Sequence, residues 1–271
     1  ALCTFNALCW ALPLKMRQFT GNERALSVAS TFSGGVFLAL AFGHLMPEAA
    51  HAFGSVAGAS SGVGSATGAA CAWTLAGYLL IWAVERLSAL ASQTKFFSGG
   101  AAVAPSMTAQ QRSGSAALLL GALSVHSLLE TMALAVARTK FAASLLAASI
   151  ALHQPAESVA LLVALLRSGL TGKRLLRYLI IFTAMGPIGY ATGFFLHDAV
   201  SNPVLDGALI ALTAGTFVYV GASEVVPEEF DDAPGVPRDA TLKAVALLAG
   251  VGLMFVLFRL AERLERASAL L

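Results

Sequence analysis

Seven stretches of this chain, at about residues 26–50, 67–90, 114–137, 141–166, 174–196, 204–226 and 240–262, run for twenty or more residues with few charges. An α-helix needs roughly 20 apolar residues to cross the hydrocarbon core of a bilayer. Backbone N–H and C=O groups in lipid must be satisfied within the protein, which makes helix the expected state of each run. Charged residues make up only 12% of the chain, about half the usual share of a soluble domain (roughly 25%). An all-α polytopic membrane protein is therefore expected. A further apolar stretch, "ALCTFNALCWALPL", opens the sequence and stops at Lys15. It is short for a span and lacks the basic start and small-residue cleavage site of a signal peptide. It reads as a first helix truncated at its N-terminus. The expectation is eight transmembrane helices in a single membrane domain over residues 1–271.

Basic residues orient these helices. With loops placed alternately on the two sides, twelve Lys and Arg fall on one side: Lys15, Arg17, Arg24, Arg86, Lys95, Arg112, Arg167, Lys173, Arg174, Arg177, Arg238 and Lys243. The other side has five: Arg138, Lys140, Arg259, Arg263 and Arg266. The positive-inside rule puts the twelve in the cytosol and both termini on the non-cytosolic face, in a plasma or organelle membrane. Residues 52–66, rich in Gly, Ser and Ala, are expected to be an outer loop, and residues 91–113 a cytosolic loop broken by Gly and Pro. Cys3, Cys9 and Cys71 form no CxxC motif and imply no disulfide framework. The sequence carries no phosphate-binding loop, which excludes an ATP-driven pump, and no nucleic-acid signature.

Ionisable residues inside a membrane span cost a few kcal/mol on insertion scales, so function is their default explanation. His44, Glu48, Glu85, His126, Glu130, His153, Glu157 and Glu224 are the candidates; His51, Glu228 and Glu229 sit at helix ends and are cheaper to explain. Residues at i and i+4 share one helix face, about 6 Å apart, and His126/Glu130 and His153/Glu157 are so spaced. The fourth and fifth spans are joined by a few residues around Arg138–Lys140 and should form an antiparallel hairpin. Both histidines then lie about 20 Å from the bend at 1.5 Å per residue, near the middle of a core roughly 30 Å thick. Two imidazoles and two carboxylates would converge there, and a divalent cation would neutralise both carboxylates. Pro155 removes a backbone donor and frees the carbonyl of Ala151, in the manner of the broken helices that line ion sites in transporters. Ser127 and Gln154, next to the histidines, offer neutral oxygen ligands or outer hydrogen bonds. For one His–Glu pair alone, an ordinary interhelical polar contact is the stronger reading; two pairs at matched depth favour an ion. A proton relay is the main functional rival.

These residues carry a resemblance. "HSLLETMALAVA" is similar to the "HSxxEGxALG" signature of the ZIP family of divalent metal transporters, and "HQPAESVALLVAL" to its fifth-helix counterpart. "FSGGVFLALAFGHLMPEA" (32–49), "AMGPIGYATG" (184–193) and "LTAGTFVYVGASEVVPEE" (212–229) resemble its second, sixth and seventh helices. The resemblance implies an eight-helix fold with extracellular termini and one bundle moving against another in an elevator-like way. It implies His126, Glu130, His153 and Glu157 as metal ligands, Ser127 and Gln154 at a secondary metal position, and a homodimer. Thr131 and Ser158 stand where the family has glycine after each glutamate, and residues 91–113 lack the histidines many relatives carry there.

His44 and Glu48 near one end, and Glu224 and Glu228 near the other, are i, i+4 pairs that suit metal access and exit; helix ends solvated near Pro47 and Pro227 account for them equally well. "HLMPE" and "EVVPE" lie on helices of opposite direction, which points to an inverted repeat. Glu85 is expected to pair locally with Arg86 or another helix. The expected function is alternating-access transport of a divalent transition metal toward the cytosol. Zn²⁺ comes first as the transported substrate, with Fe²⁺ or Mn²⁺ as alternatives; no cofactor is required. Two imidazoles with two carboxylates suit these ions, whereas the absence of sulfur in the cluster disfavours Cu⁺. The rival of another class is an intramembrane zinc hydrolase, although the chain has neither HExxH nor HxxxH.

Overall fold

A computed structural model of the chain describes residues 2–56, 63–97, 107–137, 140–197, 203–230 and 237–268. Helix α1 is Leu2–Lys15, followed by one turn at Arg17–Thr20. Helix α2 runs Glu23–Leu40, widens into π-helix over Ala41–Leu45 and continues as Met46–Val56. Then come α3 (Val63–Phe97), α4 (Met107–Val136), α5 (Lys140–Arg167) and α6 (Gly172–His197). Helix α7 repeats the pattern of α2, with Pro203–Val218, π-helical Tyr219–Val225 and Val226–Phe230, and α8 is Pro237–Ser268. Among the described residues there is no strand, and seven helices, α2 to α8, are long and apolar enough to cross a membrane. The fold is all-α and polytopic, as expected.

Helix boundaries differ from the sequence reading at two loops and three prolines. The ends of the anticipated loops at 52–66 and 91–113 are helical, to Val56 and from Val63, and to Phe97 and from Met107. Of these two loops, only 57–62 and 98–106 lie outside the described residues. Extending an existing helix costs far less than nucleating one, and Ala, Gln, Lys and Met extend it readily. Nor do α2 and α7 end at Pro47 and Pro227. Each proline removes an N–H, and the turn before it widens, so that Met46 N–H bonds Ala41 O and Val226 N–H bonds Gly221 O, five residues back. Helix α5 likewise continues unbroken through Pro155.

Packing divides the helices into two groups. Helices α1, α4, α5 and α6 pack together, as do α2, α3, α7 and α8, and the groups meet along α2–α5 and α4–α7. Backbones touch within the second group. A Cβ on Gly35 or Gly250 would strike Leu247 O or Phe32 O across α2–α8, and one on Gly77 or Gly215 would strike Leu212 O or Thr74 O across α3–α7. Small residues permit such approach in lipid, where helices have little hydrophobic drive to associate. The repeat is explicit in α2 and α7: Gly35 and Gly215, Phe37 and Phe217, and Pro47 and Pro227 are each 180 positions apart. Phe37 and Phe217 stack on one another at 5.3 Å between centroids, both fully buried. Thr131, in place of a glycine, faces α6 where Gly189 leaves room for its hydroxyl.

Candidate metal centre

Helices α4 and α5 form the expected antiparallel hairpin and bring two one-turn pairs together. His126, Glu130, His153 and Glu157 are all buried, between 0% and 6% exposed. His126 Nε2 lies 3.0 Å from Glu157 Oε1 and 3.4 Å from Glu130 Oε2. His153 Nε2 lies 3.0 Å from Glu130 Oε2 and 3.6 Å from Glu157 Oε1. Zn–N and Zn–O bonds of roughly 2.0–2.1 Å in a tetrahedron imply ligand–ligand edges of about 3.3 Å, and the four N···O separations bracket that value. One ligand atom from each residue falls within 4.8 Å of the other three. Among the described residues this is the only such group of His, Cys, Asp and Glu. His126 Nε2 and Glu157 Oε1, 3.0 Å apart, are buried without a hydrogen bond. Buried polar atoms are rarely left so, and here they converge on one point, which is the arrangement a cation satisfies.

Neighbouring groups orient the four. Gln154 Nε2 donates to Glu157 Oε2 at 3.0 Å, and His126 Nδ1 meets Thr216 Oγ1 of α7 at 2.7 Å. The ring of Phe217 lies 3.6 Å from the His126 ring and 5.1 Å from that of His153, centroid to centroid. It closes the α7 side of the site against Phe37. On the opposite side a cavity of about 280 Å³ opens between α1, α4, α5 and α6, with Ser127, Gln154, Asn6 and Thr183 among its lining residues. All three cysteines are free, and none belongs to the cluster.

The remaining sequence candidates lie elsewhere. His44 is half-buried and stacks on Phe258 of α8 at 5.1 Å between centroids. Glu48, Glu224 and Glu228 are half-buried on α2 and α7, and none joins the four-residue group. Glu229, expected to be an inexpensive helix-end charge, is instead 1% exposed. It receives Arg167 Nη1 at 2.5 Å and Ser27 Oγ at 2.5 Å, while Lys243 donates to its main-chain oxygen. Sequence reasoning missed Thr216 and Phe217 as well. Neither is ionisable, and both sit in an apolar span some 60 residues beyond Glu157; the i, i+3 spacing of Thr213 and Thr216 was the only hint of a polar face there.

The fold and the centre define a class: a multi-pass helical membrane protein that buries a cation-sized His₂Glu₂ cluster between two adjacent helices. A family model described as ZIP zinc transporter matches residues 99–258, and the chain belongs to that family. It is 25% identical to zinc transporter ZIP1 of Homo sapiens, across 94% of this chain and 88% of that protein. It is 27% identical to zinc transporter ZIP1 of Takifugu rubripes, across 52% of this chain, and 29% identical to zinc transporter 11 of Arabidopsis thaliana, across 85%. The chain spans about half the length of the Takifugu rubripes and Bos taurus relatives it matches, 46% and 48%.

Proposed function

We propose that the chain moves Zn²⁺ across the membrane toward the cytosol, with His126, Glu130, His153 and Glu157 as the ion's ligands. The observation that carries this reading is the convergence of four buried side chains at tetrahedral spacing, with His126 Nε2 and Glu157 Oε1 lacking a hydrogen bond. Nitrogen and oxygen donors without sulfur suit Zn²⁺, and the two carboxylates also admit Fe²⁺ or Mn²⁺. Binding by a mixed ligand set stays weak enough for the ion to leave, as conduction requires. Ser127 and Gln154 act as neutral neighbours at the secondary position, Gln154 by holding Glu157. His44 with Glu48, and Glu224 with Glu228, are the access and exit positions. The excess of Lys and Arg in alternate loops supports non-cytosolic termini, and the division into two helix groups supports alternating access by movement of one against the other. The working unit is proposed to be a homodimer on family grounds.

Uptake of radiolabelled Zn²⁺ by proteoliposomes tests the reading. The intact chain is expected to accumulate zinc and His126→Ala/Glu157→Ala is not. Equal uptake by the variant rejects the site; no uptake by the intact chain rejects transport. Competition by unlabelled Fe²⁺, Mn²⁺ and Cd²⁺ ranks the ions.

A further inference from the structure

A hydroxyl group carries one proton. That of Thr216 is donated to the main-chain oxygen of Thr213 at 2.7 Å, so toward His126 Nδ1, also 2.7 Å away, the same oxygen is left to accept. Nδ1 must therefore carry the ring proton, and in a neutral imidazole this leaves the lone pair on Nε2. Nε2 is the atom that points between Glu130 and Glu157 without a hydrogen bond. We infer that Thr216, on α7, is a positioning residue for the metal: it fixes His126 in the tautomer and ring orientation that present Nε2 to the ion. The inference rests on the four-residue metal site proposed above.

Two consequences follow from where Thr216 sits. His153 has no matching anchor, since its Nδ1 is buried without a partner. The two imidazoles are thus unequal, one held at Nδ1 from a neighbouring helix and the other held through its Nε2 contact with Glu130. Moreover, His126 belongs to the α1, α4, α5, α6 group and Thr216 to the other, so the bond crosses the boundary between them. Hydrogen bonds of this kind fail beyond roughly 3.5 Å, and a slide of about 1 Å between α4 and α7 removes a 2.7 Å contact. The ion loses its best-directed nitrogen at that moment. Affinity is then highest in the arrangement described here and falls as the two groups part, which links release of the ion to movement.

Calorimetric Zn²⁺ binding to the full chain in detergent tests this with five variants. Removing an outer partner of a metal-bound histidine costs about 10- to 100-fold in affinity, and that loss is expected for Thr216→Val. Thr216→Ser keeps the hydroxyl and should bind like the intact chain. Thr31→Val removes an equally buried hydroxyl that bonds the Ser27 carbonyl away from the site and should also bind normally. In a His126→Ala background Thr216→Val should weaken binding no further, because the two act through one group. Should Thr216→Val fail to fold, Thr216→Ala carries the same expectation. Unchanged affinity on loss of the Thr216 hydroxyl, or an equal further loss in the His126→Ala background, overturns the inference. If the intact chain binds no zinc, or His126→Ala binds as tightly, the metal site itself is rejected instead.

Discussion

Glu229 offers the sharpest test of how the helix ends are held. Its carboxylate is fully buried, with Arg167 Nη1 and Ser27 Oγ each at 2.5 Å and Lys243 Nζ at 3.6 Å. The cluster joins α5 to α2, α7 and α8 at one end of the bundle. Glu229→Gln keeps the shape and an acceptor oxygen but removes the charge that two cations face. Breaking a buried ion pair by removing one partner costs about 3–5 kcal/mol. Arg167 and Lys243 keep 13% and 15% side-chain exposure and can extend their heads toward water. Glu23 gives little relief, lying 3.8 Å from Arg167 with its side chain 83% exposed. Together these reduce the expected loss to about 2–4 kcal/mol. Arg24–Asp239, at 3.1 Å with side chains 69% and 39% exposed, supplies the contrast. Arg24→Gln should cost less than about 1 kcal/mol. Unfolding by SDS titration or heat, on the metal-free protein in detergent, measures both. Equal stability of the two variants would refute the claim that Glu229 is a buried structural charge.

Two further outcomes are expected. A Cβ at Gly215 would lie 2.6 Å from Tyr78 N and strike Thr74 O, so Gly215→Ala must push α3 from α7 and destabilise by about 1–3 kcal/mol; Gly121→Ala, with nothing within 4 Å, should be neutral or gain up to about 1 kcal/mol, as the same unfolding titration reports. Metal ligands must be deprotonated to bind, so zinc binding and uptake should fall as pH is lowered, and a rise toward acid pH would contradict carboxylate and imidazole ligation.

The pairs His126/Glu130 and His153/Glu157 were legible because each lies within one turn of one helix, where spacing alone sets the shared face. Their matched depth followed from a hairpin only a few residues long. Thr216 was not legible: its role depends on α7 crossing α4, and no local pattern encodes a contact between residues 90 positions apart. Glu229 was misjudged for a related reason. Its place at a helix end suggested solvent, yet the ends of α2, α5 and α8 close over it. Helix ends near Pro47 and Pro227 stood as one of two equal readings because a π-turn, which relieves the missing N–H, leaves no signature in composition. Conversely, the inverted repeat was visible in "HLMPE" and "EVVPE", and the stacked Phe37 and Phe217 show how closely its halves meet.

X-ray absorption at the zinc edge of the loaded, purified protein reads the ion's own ligands. Ligation by the four residues requires a nitrogen and oxygen shell near 2.0–2.1 Å with two imidazoles and no sulfur, lost in His126→Ala/Glu157→Ala. A zinc–sulfur distance near 2.3 Å, or an unchanged shell in that variant, would contradict it.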